Sequence, residues 1–459
     1  MNMRAGLLFL LTALGFIFSN CSKSDPPLAP IQVNFSANEL GFDATTNDLT
    51  VTIETSRAQS TPLPITINVT SNGLATGADF TTTPVITNGV LSVTIPANST
   101  STTFKVSKTA GLLLSGSEKI TFDISSANDA IVGAKKSLVV SLSAITSEGS
   151  TNFVIPGKTE VSPYANDVYV DFSNNAAVAT NRKSWNIAFT TDGTFKVLLN
   201  PGYQTTAARL NKTDINSAIT TADTAGIELN HDITNPATAS LVDNWTGDLS
   251  KTALGDVPAN EAEAKVFIIS FEGNKARDKW LKVKVSRNGT TGYKVQYANI
   301  AESATKTIVV DKDPNYNLVF LSLETGKVVT AEPRAKNWDI QWGYSTYNSG
   351  LGSPYWFQDF ILLNYMGGAE AAEIVTTTDK WEADYAAFTK AGIAALTFLK
   401  TRDAIGSKWR TTTGSGIKKD RFYIVKDPNG NYYKLRFKKM GVGDTGERGK
   451  PEFDFALLK

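Results

Sequence analysis

Between residues 31 and 145 apolar and polar positions alternate in short runs: Leu49, Val51 and Ile53, then Ile65, Ile67 and Val69, then Leu91, Val93 and Ile95. A period of two in β-branched residues, punctuated by Asn, Gly and Pro, predicts strands with one face inward and hence an antiparallel β-sandwich. The strand signal continues past residue 150. Tyr433, Leu435 and Phe437 share one face and Lys434, Arg436 and Lys438 the other, as Leu281, Val283 and Val285 alternate with Lys282 and Lys284. Asp-Pro-Asn-Gly at 427–430 predicts a hairpin, because Asn-Gly accepts the positive φ of a tight turn. One helix is expected near 381, with Asp379 as cap, Glu382 closing a capping box, and Trp381, Tyr385 and Phe388 along one face.

The C-terminal two thirds contain an internal repeat. Ser-Trp-Asn-Ile-Ala-Phe at 184–189 matches Asn-Trp-Asp-Ile-Gln-Trp at 337–342, an offset of 153. Val-Tyr-Val-Asp-Phe-Ser at 168–173 precedes the first as Val-Phe-Leu-Ser-Leu-Glu at 319–324 precedes the second. Val266 to Ile269 matches Phe422 to Val425, and the strand from Trp280 matches the strand from Tyr432, at offsets of 156 and 152. Ordered matches at a nearly constant offset imply duplication. The predicted architecture is mainly β: a sandwich over 31–145, then two tandem modules over 150–300 and 301–459.

Composition narrows the chemistry. Lys+Arg number 45 against Asp+Glu 44 in 459 residues, so no long-range field gathers nucleic acid. The chain has one histidine, His231, and one cysteine, Cys21. That pair excludes disulfides within the chain, a Cys/His zinc cage, and any site needing two imidazoles from one chain. Acidic residues are plentiful, but no pair stands at a spacing that signals a two-carboxylate hydrolase. Arg4, an apolar run over 7–18 and then Cys21 resemble the bacterial lipoprotein signal, with 1–20 removed and Cys21 bearing lipid; an ordinary secretory signal with an incidental cysteine is the alternative. The run is shorter than the ~20 residues of a spanning helix. Residues 21–30 would then form a polar, Pro-containing tether.

Within 31–145, the segment Ala-Thr-Gly-Ala-Asp-Phe at 75–80 and Ser-Glu-Lys-Ile-Thr-Phe-Asp at 117–123 resemble the Calx-beta module, which binds calcium through clustered carboxylates. Asp79 and Glu118 match, but Lys108, Thr109 and Leu112 to Leu114 stand where acidic residues belong, so calcium is not an expected ligand.

Copy two carries Asn-Leu-Val-Phe-Leu-Ser-Leu-Glu at 317–324, Trp-Asp-Ile-Gln-Trp at 338–342, Asn-Ser-Gly at 348–350, the strand pair spanning 421–437, and Gly-Glu-Arg-Gly at 446–449. Together these resemble the HmuY family of Bacteroidota lipoproteins; copy one resembles it more weakly. The resemblance implies an all-β, surface-exposed lipoprotein of the outer membrane that binds haem or a related tetrapyrrole beside a TonB-dependent receptor. The family's best-known members hold iron between two histidines, and relatives use methionine. Copy two has no histidine, so the resemblance leaves Met366, Met440 and His231 as candidate axial ligands. Met366 and Met440 read first as core residues, and His231 as an exposed loop residue. Tyr355 and Trp356 form an aromatic platform that would suit a porphyrin, or a sugar if the protein binds a glycan, peptide or protein partner instead. A non-catalytic binding role is expected on either reading.

Overall fold

A computed structural model describes residues 29–42, 47–109, 118–142, 147–273, 276–348, 350–351 and 353–459. Cys21 and Leu112 to Leu114 lie outside them. The N-terminal part is a sandwich of two five-stranded sheets. One runs Phe80–Thr83, Ser101–Lys108, Asp48–Thr55, Gln32–Phe35 and Ile131–Val132; the other runs Glu39–Phe42, Ser137–Leu142, Lys119–Ser126, Leu63–Asn72 and Val90–Ile95. The alternation is realised residue by residue, since Val51, Ile53, Ile65, Ile67, Leu91, Val93 and Ile95 all enter one buried core.

The rest of the chain is a pair of interleaved modules. Strand Asn166–Asp171 of copy one pairs antiparallel with Ile340–Asn348 of copy two, in the register Val168 to Trp342 and Val170 to Ile340. Reciprocally, Ile187–Thr190 of copy one pairs with Leu318–Ser322 of copy two, Ile187 facing Leu321. Each central four-stranded sheet is therefore half one copy and half the other. The exchange extends outward. Gly149–Val154, which opens copy one, is the edge strand of the sheet formed by Glu370–Val375, Arg421–Lys426, Tyr432–Lys439 and Glu452–Leu457. Lys306–Asp311, which precedes Leu318–Ser322 as Gly149–Val154 precedes Asn166–Asp171, closes the matching sheet formed by Thr206–Arg209, Val266–Ser270, Leu281–Asn288 and Gly292–Asn299.

The polar face of the strand Leu281–Asn288 is covered. Lys282 and Lys284 are buried beneath the segment that follows strand Thr206–Arg209, and Lys284 Nζ donates to the Thr213 carbonyl at 2.7 Å. The predicted helix forms at Trp381–Ala387 and buries Trp381 and Tyr385, but its N-cap is Lys380 and no side chain caps it. The Asp379 side chain hydrogen-bonds Thr377 instead. Lys434 reaches across from its strand to the helix C-terminus and donates to the carbonyls of Tyr385, Ala386 and Phe388 at 2.7, 3.1 and 3.1 Å. A cation at that end answers both the orphan carbonyls and the helix dipole.

Candidate functional site

The site grows from two residues that occupy the same place in each copy. Asn200 Nδ2 donates to the carbonyls of Arg182 and Trp185 at 2.8 and 2.7 Å, and its Oδ1 accepts from Tyr203 N at 3.2 Å. Asn364 Nδ2 donates to the carbonyls of Ala335 and Trp338 at 2.7 and 2.6 Å, and its Oδ1 accepts from Gly367 N at 3.0 Å. Both amides are buried, so each is a hydrogen-bonded knot that fixes where its tryptophan sits. The tryptophans then cross over. Trp185 packs edge-on against Phe320 of copy two at 4.8 Å, and Trp338 edge-on against Tyr169 of copy one at 5.0 Å.

These four rings line a cleft of about 100 Å³ where the two copies meet. At roughly 10–15 Å³ for each water-sized position, it has room for a small group of atoms. A drug-sized ligand site is typically several times larger, about 300–1,000 Å³. Met366 borders the cleft and is half-buried; the residue at its position after the paired asparagine in copy one is Gly202. Trp356, from the hairpin of Ile340–Asn348 and Pro354–Leu363, also borders it. One wall is the loop around 242–252, which belongs to copy one and is latched to copy two. Tyr365 Oη donates to the Gly247 carbonyl at 2.8 Å, and Arg402 N to the Thr246 carbonyl at 2.9 Å.

Buried carboxyls shape the electrostatics of the cleft. Burial pushes Glu332 up to about 8, despite the backbone N–H groups of Leu318 and Asn317 that bond it. Burial likewise pushes Asp243 up to about 6, against backbone N–H bonds from Leu199 and Ala253. Asp167 is raised by burial and held back by Arg182, whose Nε lies 2.8 Å from its Oδ1. The Arg402 side chain borders the cleft and forms no ion pair or hydrogen bond among the described residues.

The candidates named from sequence separate. Met366 and Trp356 meet at the cleft. His231 lies behind Trp356, its ring 4.8 Å from the indole, with Nε2 2.9 Å from Ser353 Oγ and Nδ1 without a hydrogen-bond partner. Burial lowers its pKa, which keeps the imidazole neutral at physiological pH. Met440 is 6% exposed inside the core formed with Phe437, Ile417 and Trp409. Tyr355 packs on Tyr347 and Phe357, farther along the hairpin. On the polar face of the strand Tyr432–Lys439, Arg436 and Lys439 are engaged within the sheet by Asp454 and Glu452, both at 2.9 Å. Glu447 of the Gly-Glu-Arg-Gly segment pairs with Lys158 and with Lys450, and a Cβ on Gly449 would collide with the Pro163 carbonyl. In the sandwich, Asp79 accepts from Ala75 N at 2.7 Å; among the described residues no three Asp, Glu, His or Cys side chains are grouped to hold a metal. Arg402, Glu332, Asp243 and Tyr169 escaped the sequence reading. The one signal pointing at them was the tryptophan repeated in both copies.

A mainly β body of two interleaved copies with a small cleft where they meet is a frame built by duplication. The HmuY protein family matches residues 163–310 and again 314–455, together well over half of the chain, and the chain belongs to that family. It is a family of surface lipoproteins concerned with binding and uptake, not with catalysis. No curated protein matches the chain. Similar solved structures include the apo-form Calx CBD1 domain, at 11% identity over 25% of this chain and 96% of that one, with a TM-score of 0.21. A two-domain protein of unknown function from Bacteroides fragilis shares 13% identity over 39% and 75%, with a TM-score of 0.18. A Bacteroides ovatus protein described as carbohydrate-binding shares 11% over 70% and 84%, with a TM-score of 0.18. No helix among the described residues is long and apolar enough to cross a membrane.

Proposed function

We propose that this protein is an outer-membrane lipoprotein, anchored through Cys21, that captures haem or a related tetrapyrrole at the cleft between its modules for a TonB-dependent receptor. The observation that carries the reading is the meeting of Met366 and Trp356 at one cleft within a chain of the HmuY family. A thioether is a competent axial ligand for haem iron, and an indole face packs against a porphyrin. The fit is one-sided. Met440 is enclosed in the core, and His231 reaches the cleft only if it leaves Ser353 and turns past Trp356. Since the cleft holds about 100 Å³, the macrocycle would rest at its mouth, against Met366 and Trp356. Titration of the full chain with haem should produce a shifted Soret band that Met366→Ala abolishes or moves. No shifted band in either redox state overturns the reading.

A glycan is the second reading, supported by the two edge-on aromatic pairs lining the cleft beside Glu332, Asp243 and Gln341. Rings beside hydrogen-bonding side chains suit a sugar. A glycan-array signal removed by Trp356→Ala would support it, and a blank array would end it.

A further inference from the structure

The polar groups of the cleft that lack partners sort by sign. Trp338 Nε1 is a donor without a hydrogen-bond partner on a residue 6% exposed. Thr205 Oγ1 is likewise unpartnered, on a residue 1% exposed, and both residues line the cleft. Arg402 brings a guanidinium with no ion pair, pinned at its backbone between the Thr246 carbonyl and Leu363 N at 2.9 and 2.8 Å. The cleft carboxyls are served at close range by other groups, Asp167 by Arg182, Asp243 by two backbone N–H groups, and Asp248 by Ser250 and Lys251, while Arg402 acts on Asp167 and Asp243 only through its longer-range charge. A buried donor without a partner is costly, so Trp338 Nε1 and Thr205 Oγ1 mark where an acceptor belongs, and the half-buried Arg402 adds a positive charge to the same lining.

We infer that the cleft is a carboxylate subsite, in which Arg402 faces the anion while Trp338 Nε1 and Thr205 Oγ1 donate to the oxygens of the same ligand. This rests on the cleft being the ligand site and names the chemistry it selects. Size agrees with sign. About 100 Å³ excludes a macrocycle but accepts a carboxylate-bearing arm or a single sugar-acid ring. Glu332, held protonated at neutral pH by its burial, offers a neutral hydroxyl group and not a repelling charge. The same carboxylate could belong to a propionate of a tetrapyrrole or to a uronic acid.

The test uses the full chain in detergent and four probes: haem, haem dimethyl ester, glucuronic acid and its methyl ester. Binding is followed by quenching of tryptophan fluorescence and, for haem, by absorbance. The free acid of whichever ligand is native should bind more tightly than its ester, and Arg402→Gln should weaken the acid by about tenfold or more while changing the ester less than about threefold. Thr205→Val, nearly isosteric, should reproduce the discrimination at smaller size. Discrimination with haem assigns a propionate arm, and with glucuronic acid a sugar acid; both support the subsite. If acid and ester bind alike, or Arg402→Gln weakens both equally, the carboxylate subsite is wrong while capture at the cleft stands. If none of the four probes binds, both fall.

Discussion

The two copies of the module agree where they hold each other and differ where they face the cleft. Asn200 and Asn364 tie equivalent carbonyls, and Trp185 and Trp338 each pack on an aromatic residue of the opposite copy. Asn186 Oδ1 accepts from Leu323 N at 2.6 Å just as Asp339 Oδ2 accepts from Phe172 N at 2.6 Å. Around that shared frame the copies part. Copy one follows its asparagine with Pro201, Gly202 and Tyr203, and copy two with Tyr365, Met366 and Gly367. Copy two lengthens its hairpin to strands of 9 and 10 residues, where copy one has 4 and 3. Copy one answers with the long segment that carries His231 and the wall at 242–252. A duplicated frame whose strands cross over fixes two different loop sets against each other, so the cleft exists only in the pair.

The strongest way to break the comparison is at the asparagine knots. Asn364→Ala removes four hydrogen bonds, including one from Asn317 Nδ2 at 2.8 Å, and leaves buried carbonyls without donors. It should cost about 3–5 kcal/mol. Asn200→Ala, with three side-chain bonds, should cost about 2–3 kcal/mol. Urea unfolding of both variants checks the ranking. If Asn364→Ala costs under about 1 kcal/mol, the knot does not organise the cleft.

Glu332 offers the next largest effect, and it belongs to copy two alone. Its folded value is raised to about 8 from an ordinary 4.5, so between those values the folded state holds a proton that the unfolded chain has released. Its contribution is fully present below about pH 4.5 and is lost as the pH rises through 8. Glu332→Gln, which mimics the protonated acid, should therefore flatten the fall in stability between pH 5 and 9, by roughly 3 kcal/mol at the alkaline end. Unfolding midpoints across that range give the slope directly. An unchanged slope in the variant would assign the titration to another group.

Strand content was readable because Tyr433, Leu435 and Phe437 alternate, and all three are buried as that alternation requires. The duplication was readable because the tryptophan strands repeat at a fixed offset. Crossing-over was not, since the offset is the same whether each copy folds on itself or exchanges strands. The burial of Lys282 and Lys284 was not legible for a related reason: their cover comes from Thr213 and Ser217, about 70 positions back in the chain. The cleft was half legible. Met366 and Trp356 announce themselves by type, whereas Arg402 and Thr205 become visible only as unpartnered donors, which no sequence pattern records.

The smallest expected effect is the sharpest test of the symmetry. Asp339 stands where copy one has Asn186, and burial, with Asp171 and Asp427 nearby, raises its pKa well above the ordinary carboxylate value. A protonated carboxyl and an amide present the same acceptor to Phe172 N, so Asp339→Asn should restore the copy-one arrangement almost without cost, within about 1 kcal/mol at pH 6. The new Nδ2 would face Asp171 and Asp427, whereas an ionised Asp339 repels them. The sign follows from that difference. Stability that depends on a protonated Asp339 is intact below the unfolded carboxylate value, near 4, and is lost as the pH rises through the higher folded one. Asp339→Asn has no such loss, so its stability relative to the parent should improve as the pH rises above the unfolded carboxylate value. Asn186→Asp, made for contrast, should move the other way and add an alkaline loss to copy one. If Asp339→Asn instead costs 2 kcal/mol or more at pH 6, by roughly the scale of a broken buried hydrogen bond, Asp339 is held as an anion and the two copies are not equivalent at their shared strand.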